Sequence, residues 1–185
     1  MFLVELLKIK LKLLFGSFLH FVPFVDASRI ESEADVDCVV AVLQSILPVA
    51  DETGIEIHLE TSLSPTHFAE LLAKIPHPKI KVNYDSGNSS SLGYRPVDEF
   101  AAYGERIGSV HIKDRIYGGG TVRLGTGDAD LRGLAHCLKS VGYAGDYILQ
   151  VARNSAGDEV AWARQNRAFL VDLLANAGLN VGDIA

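Results

Sequence analysis

The stretch around Ile80 to Arg115 constrains this chain more than any other. It reads KIKVNYDSGN, a helical segment, then IGSVHIKDR. Twice in succession a short, β-branched apolar run stops on a residue able to ligate a metal, first Asp85 and then His111. The neighbouring runs behave in the same way: IEIHLE stops on Glu60 and DYILQ on Gln150. In α/β proteins with parallel sheets the ligand lies beyond the carboxyl ends of the strands, where one polar residue meets the substrate and the rest of the strand stays buried. Four strands with four potential ligands at their ends predict one shared site.

Between these strands the pattern changes to helical periodicity, and the alternation holds along the chain. FLHFVPFVD, from Phe18 to Asp26, reads as a strand ending in an acid. Glu33 to Glu52 reads as a helix with Val36, Val39, Val40, Leu43, Ile46 and Leu47 on one broad face, ended by Gly54. Ile55 to Glu60 is a strand. Ser64-Pro65 opens a helix running through Ile75, with Pro65 in the first turn, where a missing N–H costs nothing. Lys79 to Asp85 is a strand, and SGNSSSLGYR is read as a loop. Pro96 to about Gly104 is a helix and Ile107 to Asp114 a strand. The segment RIYGGGTVRLGTGDAD, with five glycines, is a long loop of the kind that carries function. Leu131 to Val141 is a helix capped by Gly142, and Tyr147 to Val151 is the last strand. Asp158 to Ala177 closes the chain as a helix with Trp162, Phe169, Leu170, Leu173 and Leu174 inward. Strand and helix alternating five times imply an α/β fold with a parallel sheet and right-handed crossovers. Strands this continuously apolar are covered on both faces.

Composition narrows the function. The 185 residues are 48% hydrophobic, enough for one domain with a full core. A net charge of −6 argues against a nucleic-acid partner, which requires a concentrated basic face. Cys38 and Cys137 lie in helix-like apolar patterns and read as buried free thiols of a reducing cytoplasm. The N-terminal MFLVELLKIKLKLLFGSFLHFVPFV is interrupted by Glu5, Lys8, Lys10 and Lys12. Its longest uncharged run, Leu13 to Val25, is too short to span a bilayer, and nothing frames it as a signal peptide. Residues 1–16 are therefore expected to form an amphipathic helix and 17–185 the domain, with no membrane partner.

Glu60, Asp85 and His111 offer two carboxylates and an imidazole. That set suits Mn²⁺, Mg²⁺, Co²⁺ or Zn²⁺ and differs from a thiolate zinc site. Any one polar strand end is unremarkable; three at equivalent ends of successive strands argue for a site. The glycines of Gly125 to Gly127 do not follow a strand directly and do not fit a nucleotide-binding G-x-G-x-x-G. His58 points to the opposite face from Leu59 and reads as structural. His20, His67, His77 and His136 have no partner at ligand spacing and read as surface or packing residues.

Taken in order, LET at Glu60, YDSGN around Asp85, HIKDR from His111, the LGTGDAD loop and SVGYAGDYILQ resemble the sugar-phosphate isomerase/epimerase group of the xylose isomerase-like TIM barrels, over roughly Phe21 to Leu174. The resemblance implies one divalent metal at the barrel mouth, held by Glu60, Asp85, His111 and, at the position of a second glutamate, Gln150. It implies proton transfer beside a sugar carbonyl through an enediolate, with Glu60 as base. Gln150 offers a neutral oxygen and no base, so Lys113, a water or the substrate would move the second proton. One-base aldose–ketose isomerisation fits this set better than two-base epimerisation. Asn88, Arg115 and Arg153 lie just beyond the ligands, as substrate-binding residues would.

A whole TIM barrel has eight strands and about 250 residues, and five strands are legible here. The expected fold is thus a partial (β/α) barrel with two open edges. A fragment, a displaced start and a protomer that completes its sheet with another copy remain open, and a homo-oligomer is expected. The first functional expectation is a metal-dependent sugar or sugar-phosphate isomerase/epimerase in the cytoplasm. The second is a catalytically impaired barrel acting as an interaction or subunit-completing module. An abasic-site endonuclease would need several clustered histidines and a basic surface, and the sequence has neither.

Overall fold

The structure is a computed structural model and describes residues 18–22, 29–153 and 157–179. The expected helix 1–16 and Asp26 lie outside the described residues. Strands β1 (Phe18–Phe21), β2 (Glu56–Leu59), β3 (Ile80–Asp85), β4 (Ile107–Ile112) and β7 (Tyr147–Leu149) form one five-stranded sheet in the order β1-β2-β3-β4-β7. The pairs β1/β2, β2/β3 and β4/β7 are parallel. The α/β class and the partial barrel sheet read from the sequence are both present. The chain divides into two compact units, Met1–Asn83 and Tyr84–Ala185, and the division falls inside β3.

In the first unit, α1 (Glu33–Thr53) starts on a capping box in which Ser32 and Asp35 satisfy each other's backbone N–H groups. It ends at Gly54, whose φ of 75° is the left-handed conformation that glycine adopts without penalty. Val39, Leu43 and Ala50 are its buried stripe. Helix α2 (Pro65–Lys74) takes Ser64 as its N-cap and buries Phe68, Leu71 and Leu72. These residues complete the core with Ile57 and Leu59 of β2 and Ile80 and Val82 of β3.

In the second unit, β3 runs directly into α3 (Ser86–Ser91), followed by α4 (Pro96–Tyr103) and β4. The expected SGNSSS loop is thus a one-and-a-half-turn helix. Serine and glycine have poor helix propensity, and the tertiary setting overrides it: Asp85 caps the first turn through Asn88 N–H at 2.8 Å, and five of the six residues are buried. The expected strand Ile107 to Asp114 stops at Ile112. Asp114–Arg115 instead forms β5, which pairs antiparallel with β6 (Thr121–Val122) inside the segment read as a loop. Helix α5 (Leu131–Ser140) and helix α6 (Glu159–Asn176) follow the expected periods. Leu170 and Leu174 of α6 are buried, but Phe169, expected inward, is 37% exposed. Its ring covers Gly125, where a Cβ would lie 3.0 Å away. Cys38, expected buried, is exposed on α1, and both cysteines are free.

Candidate metal centre

Register builds the site. Because β2 pairs Leu59 with Val82, Glu60 comes opposite Asn83, and the Asn83 amide donates to Glu60 Oε2. The Glu60 N–H is in turn held by the Phe21 carbonyl at 3.1 Å. Two residues beyond Asn83 on the same strand, and so on the same face, stands Asp85. Its Oδ1 is committed to the Asn88 N–H as helix cap, which leaves Oδ2 toward His111 Nδ1 at 3.8 Å and Lys113 Nζ at 3.3 Å. Glu60, Asp85 and His111 are 8%, 3% and 7% exposed. Among the described residues they form the one group of carboxylate and imidazole donors that could hold a metal ion.

The donor set fits such an ion. Two carboxylates taken out of water carry a large desolvation cost that a cation offsets. Oxygen donors with one imidazole suit the harder divalent metals and Zn²⁺. Glu60, Asp85 and His111 would hold it.

The other predicted residues lie as follows. Gln150, just past β7, is exposed; its N–H bonds the Ile112 carbonyl at 3.0 Å, and its Oε1 accepts from Lys113 Nζ at 2.6 Å. Lys113 also reaches Asn88 Oδ1 at 3.3 Å. Arg115 donates to the same Asn88 oxygen at 2.9 Å and forks onto the Gly119 carbonyl at 3.1 and 2.7 Å. Asn88, Lys113, Arg115 and Gln150 are therefore linked through Lys113 and Asn88. Arg153 is exposed and no bond ties it to that group.

Four residues escaped the reading of the sequence. Asn83 carries a period-2 signal, lying one pleat before Asp85. Ser86 pins the end of β4, donating to the Lys113 carbonyl at 2.6 Å and accepting its N–H at 2.9 Å. Asp114, fully buried, accepts backbone N–H groups from Gly125, Gly127 and Ala129 and so orders the glycine-rich segment. Glu99 is buried and accepts from the hydroxyls of Tyr84, Ser89 and Tyr103 at 2.9, 2.7 and 2.9 Å, tying β3, α3 and α4 together. Burial raises the Glu99 pKa against the pull of those hydroxyls. His58 is structural as expected: it is fully buried, stacks on Phe18 at 4.3 Å, and burial lowers its pKa although Glu56 lies 3.0 Å away.

Residues 9–173 match the family described as the xylose isomerase-like TIM barrel. The chain belongs to this family. No curated protein matches the chain. Among solved structures, the xylose isomerase-like chain is similar to the IolI protein with a bound zinc atom, at 20% identity and a TM-score of 0.75, covering 95% of this chain and 69% of that one. It is similar to a D-tagatose 3-epimerase-like protein at 19% identity and a TM-score of 0.74, again over 95% and 69%. An L-ribulose 3-epimerase gives 21% identity and a TM-score of 0.72 over 94% and 67%. The chain thus spans about two thirds of the length of these proteins.

Proposed function

We propose that this protein is a divalent-metal-dependent sugar or sugar-phosphate isomerase/epimerase. The observation that carries the reading is the buried set of Glu60, Asp85 and His111 at the carboxyl ends of parallel strands in a xylose isomerase-like fold. Neighbours of this fold in complex with D-allulose and with D-tagatose support a small sugar as substrate. Bound there, Mn²⁺, Mg²⁺, Co²⁺ or Zn²⁺ would supply Lewis acidity to a sugar carbonyl.

The chain's own residues would do the rest. Glu60 is the base that takes the proton beside the carbonyl, and Asn83 holds its carboxylate in orientation. Lys113 is the second proton carrier, because Gln150 has no proton to exchange at neutral pH. Gln150 Oε1 would be the fourth ligand, and the third oxygen donor, once Lys113 releases it. Asn88 and Arg115 would meet sugar hydroxyls, and Arg153 would approach a phosphate. One shuttling base favours aldose–ketose isomerisation. The same reading puts the protein in carbohydrate metabolism in the cytoplasm, as a homo-oligomer.

A second reading, a barrel without turnover that serves as an interaction or subunit-completing module, draws on Gln150 and on the outer positions of β1 and β7 in the sheet. One experiment separates them. The metal-stripped protein is melted with and without Mn²⁺ or Co²⁺. An ion at about a hundred times its Kd should stabilise the fold by about 2.7 kcal/mol, a rise of several degrees. Asp85→Ala and His111→Ala should abolish that rise. A rise that persists in both variants would sink the proposed site, and no rise in the wild type would favour the module.

A further inference from the structure

Lys113 lies against oxygens that the metal reading assigns to the ion. Three oxygens surround its ammonium: Gln150 Oε1 at 2.6 Å, Asp85 Oδ2 at 3.3 Å and Asn88 Oδ1 at 3.3 Å. Its side chain is 15% exposed and that of Asp85 1%, so the pair is screened little by solvent. The chain is also shaped to hold the lysine there. Ser86 Oγ fixes both the N–H and the carbonyl of Lys113. Gly87 leaves room for its stem, because a Cβ at Gly87 would lie 2.6 Å from Lys113 Cγ and 3.0 Å from Cβ and Cδ.

We propose that Lys113 is a tethered cation that competes with the divalent ion for Asp85 and Gln150, and so sets how readily the centre loads. The inference rests on the metal reading of Glu60, Asp85 and His111. Asp85 Oδ1 is committed to the Asn88 N–H, so Oδ2 is the oxygen that faces both His111 and Lys113. A divalent ion on Oδ2 meets a like charge already at hydrogen-bond distance. Gln150 sharpens the conflict: its neutral oxygen is a weaker donor to a metal than a glutamate would be, yet it makes a short bond to the ammonium. In the metal-free protein the lysine neutralises Asp85 and preserves the geometry. On loading, the ammonium must leave both oxygens, which frees it to act on a bound sugar.

The test is calorimetric titration of Co²⁺ or Mn²⁺ into metal-stripped wild type, Lys113→Met and Lys113→Gln, with a melt of each metal-free protein. Both variants should bind the ion at least about tenfold more tightly, the effect of removing one positive charge within a few ångströms even under water's screening. Both should melt below the wild type when metal-free, since Asp85 then lacks the ammonium that balances its charge, and the ion should raise their melting temperature by more than it raises that of the wild type. Lys113→Gln keeps polar atoms for Asp85 and Gln150 and guards against misfolding in Lys113→Met. Equal or weaker affinity in the folded variants, with wild type binding, would overturn this proposal alone. No binding by any of the three would refute the underlying metal reading as well.

Discussion

Replacing Asp114 should loosen the segment between β5 and α5 while leaving the sheet in place. Asp114 Oδ2 accepts the N–H groups of Gly125 and Gly127, each at 2.9 Å, and Oδ1 accepts that of Ala129 at 3.1 Å. A hydrogen bond to a charged group contributes about 1.5–3 kcal/mol, so three set a ceiling of roughly 5–9 kcal/mol for Asp114→Ala. The released N–H of exposed Gly125 regains water, and we expect a loss of about 3–5 kcal/mol. Asp114→Asn keeps one oxygen for Gly125 and Gly127 but turns an NH₂ toward the Ala129 N–H, and should lose about 2 kcal/mol. At about 2–4 °C per kcal/mol for a chain of this size, Asp114→Asn should melt roughly 4–8 °C lower. Gly127→Ala attacks the same clamp from the other side, because its Cβ would lie 2.3 Å from Asp114 Oδ1 and 2.8 Å from the Arg115 carbonyl. The decisive assay is amide hydrogen exchange: Gly125, Gly127 and Ala129 should all lose protection in Asp114→Ala, and Ala129 above all in Asp114→Asn, while Val110 and Ile112 of β4 keep theirs. Unchanged protection at those three amides in Asp114→Ala would refute the clamp.

Two further outcomes follow from buried groups elsewhere. Burial raises the pKa of Glu99 above its ordinary 4.5, so the folded state binds the proton more readily than the unfolded state. Stability should therefore fall as pH rises from about 4.5 through the folded pKa. Glu99→Gln, measured by urea denaturation across that window, should flatten the slope; Tyr84, Ser89, Tyr94, Tyr103 and Asp98 are the groups that surround it. In the first unit Leu43 is sealed at 0% exposure, and Leu43→Ala should cost about 2–5 kcal/mol in the same assay.

The elements were legible in the sequence wherever one physical cause acted locally. Helix α1 announces itself through its period-3.6 apolar stripe and the glycine that ends it, α2 through Ser64-Pro65 at its start, and β3 and β4 through β-branched runs. Such runs also show roughly where each strand stops, so Glu60, Asp85, His111 and Gln150 stand out near strand ends, although β4 runs to Ile112 and not to Asp114. Helix α3 was not legible, because SGNSSS has no stripe and no propensity; Asp85 and the burial around it make it helical. Phe169 follows the right period for the inner face of α6, but its ring lies outside, over Gly125, which only the approach of the glycine segment decides.

Sequence alone therefore determined the α/β alternation and the chemical types at the strand ends, because periodicity and strand termination are properties of neighbouring residues. Only the tertiary structure decided what those groups do to one another. Asn83 orients Glu60 because β2 and β3 pair in one register, and Asp114 gathers Gly125, Gly127 and Ala129 because the segment folds back on β5. Lys113 meets Gln150 across 37 residues of sequence because β4 and β7 are adjacent strands. Contacts between residues far apart in the chain depend on strand order and register, which no local pattern encodes.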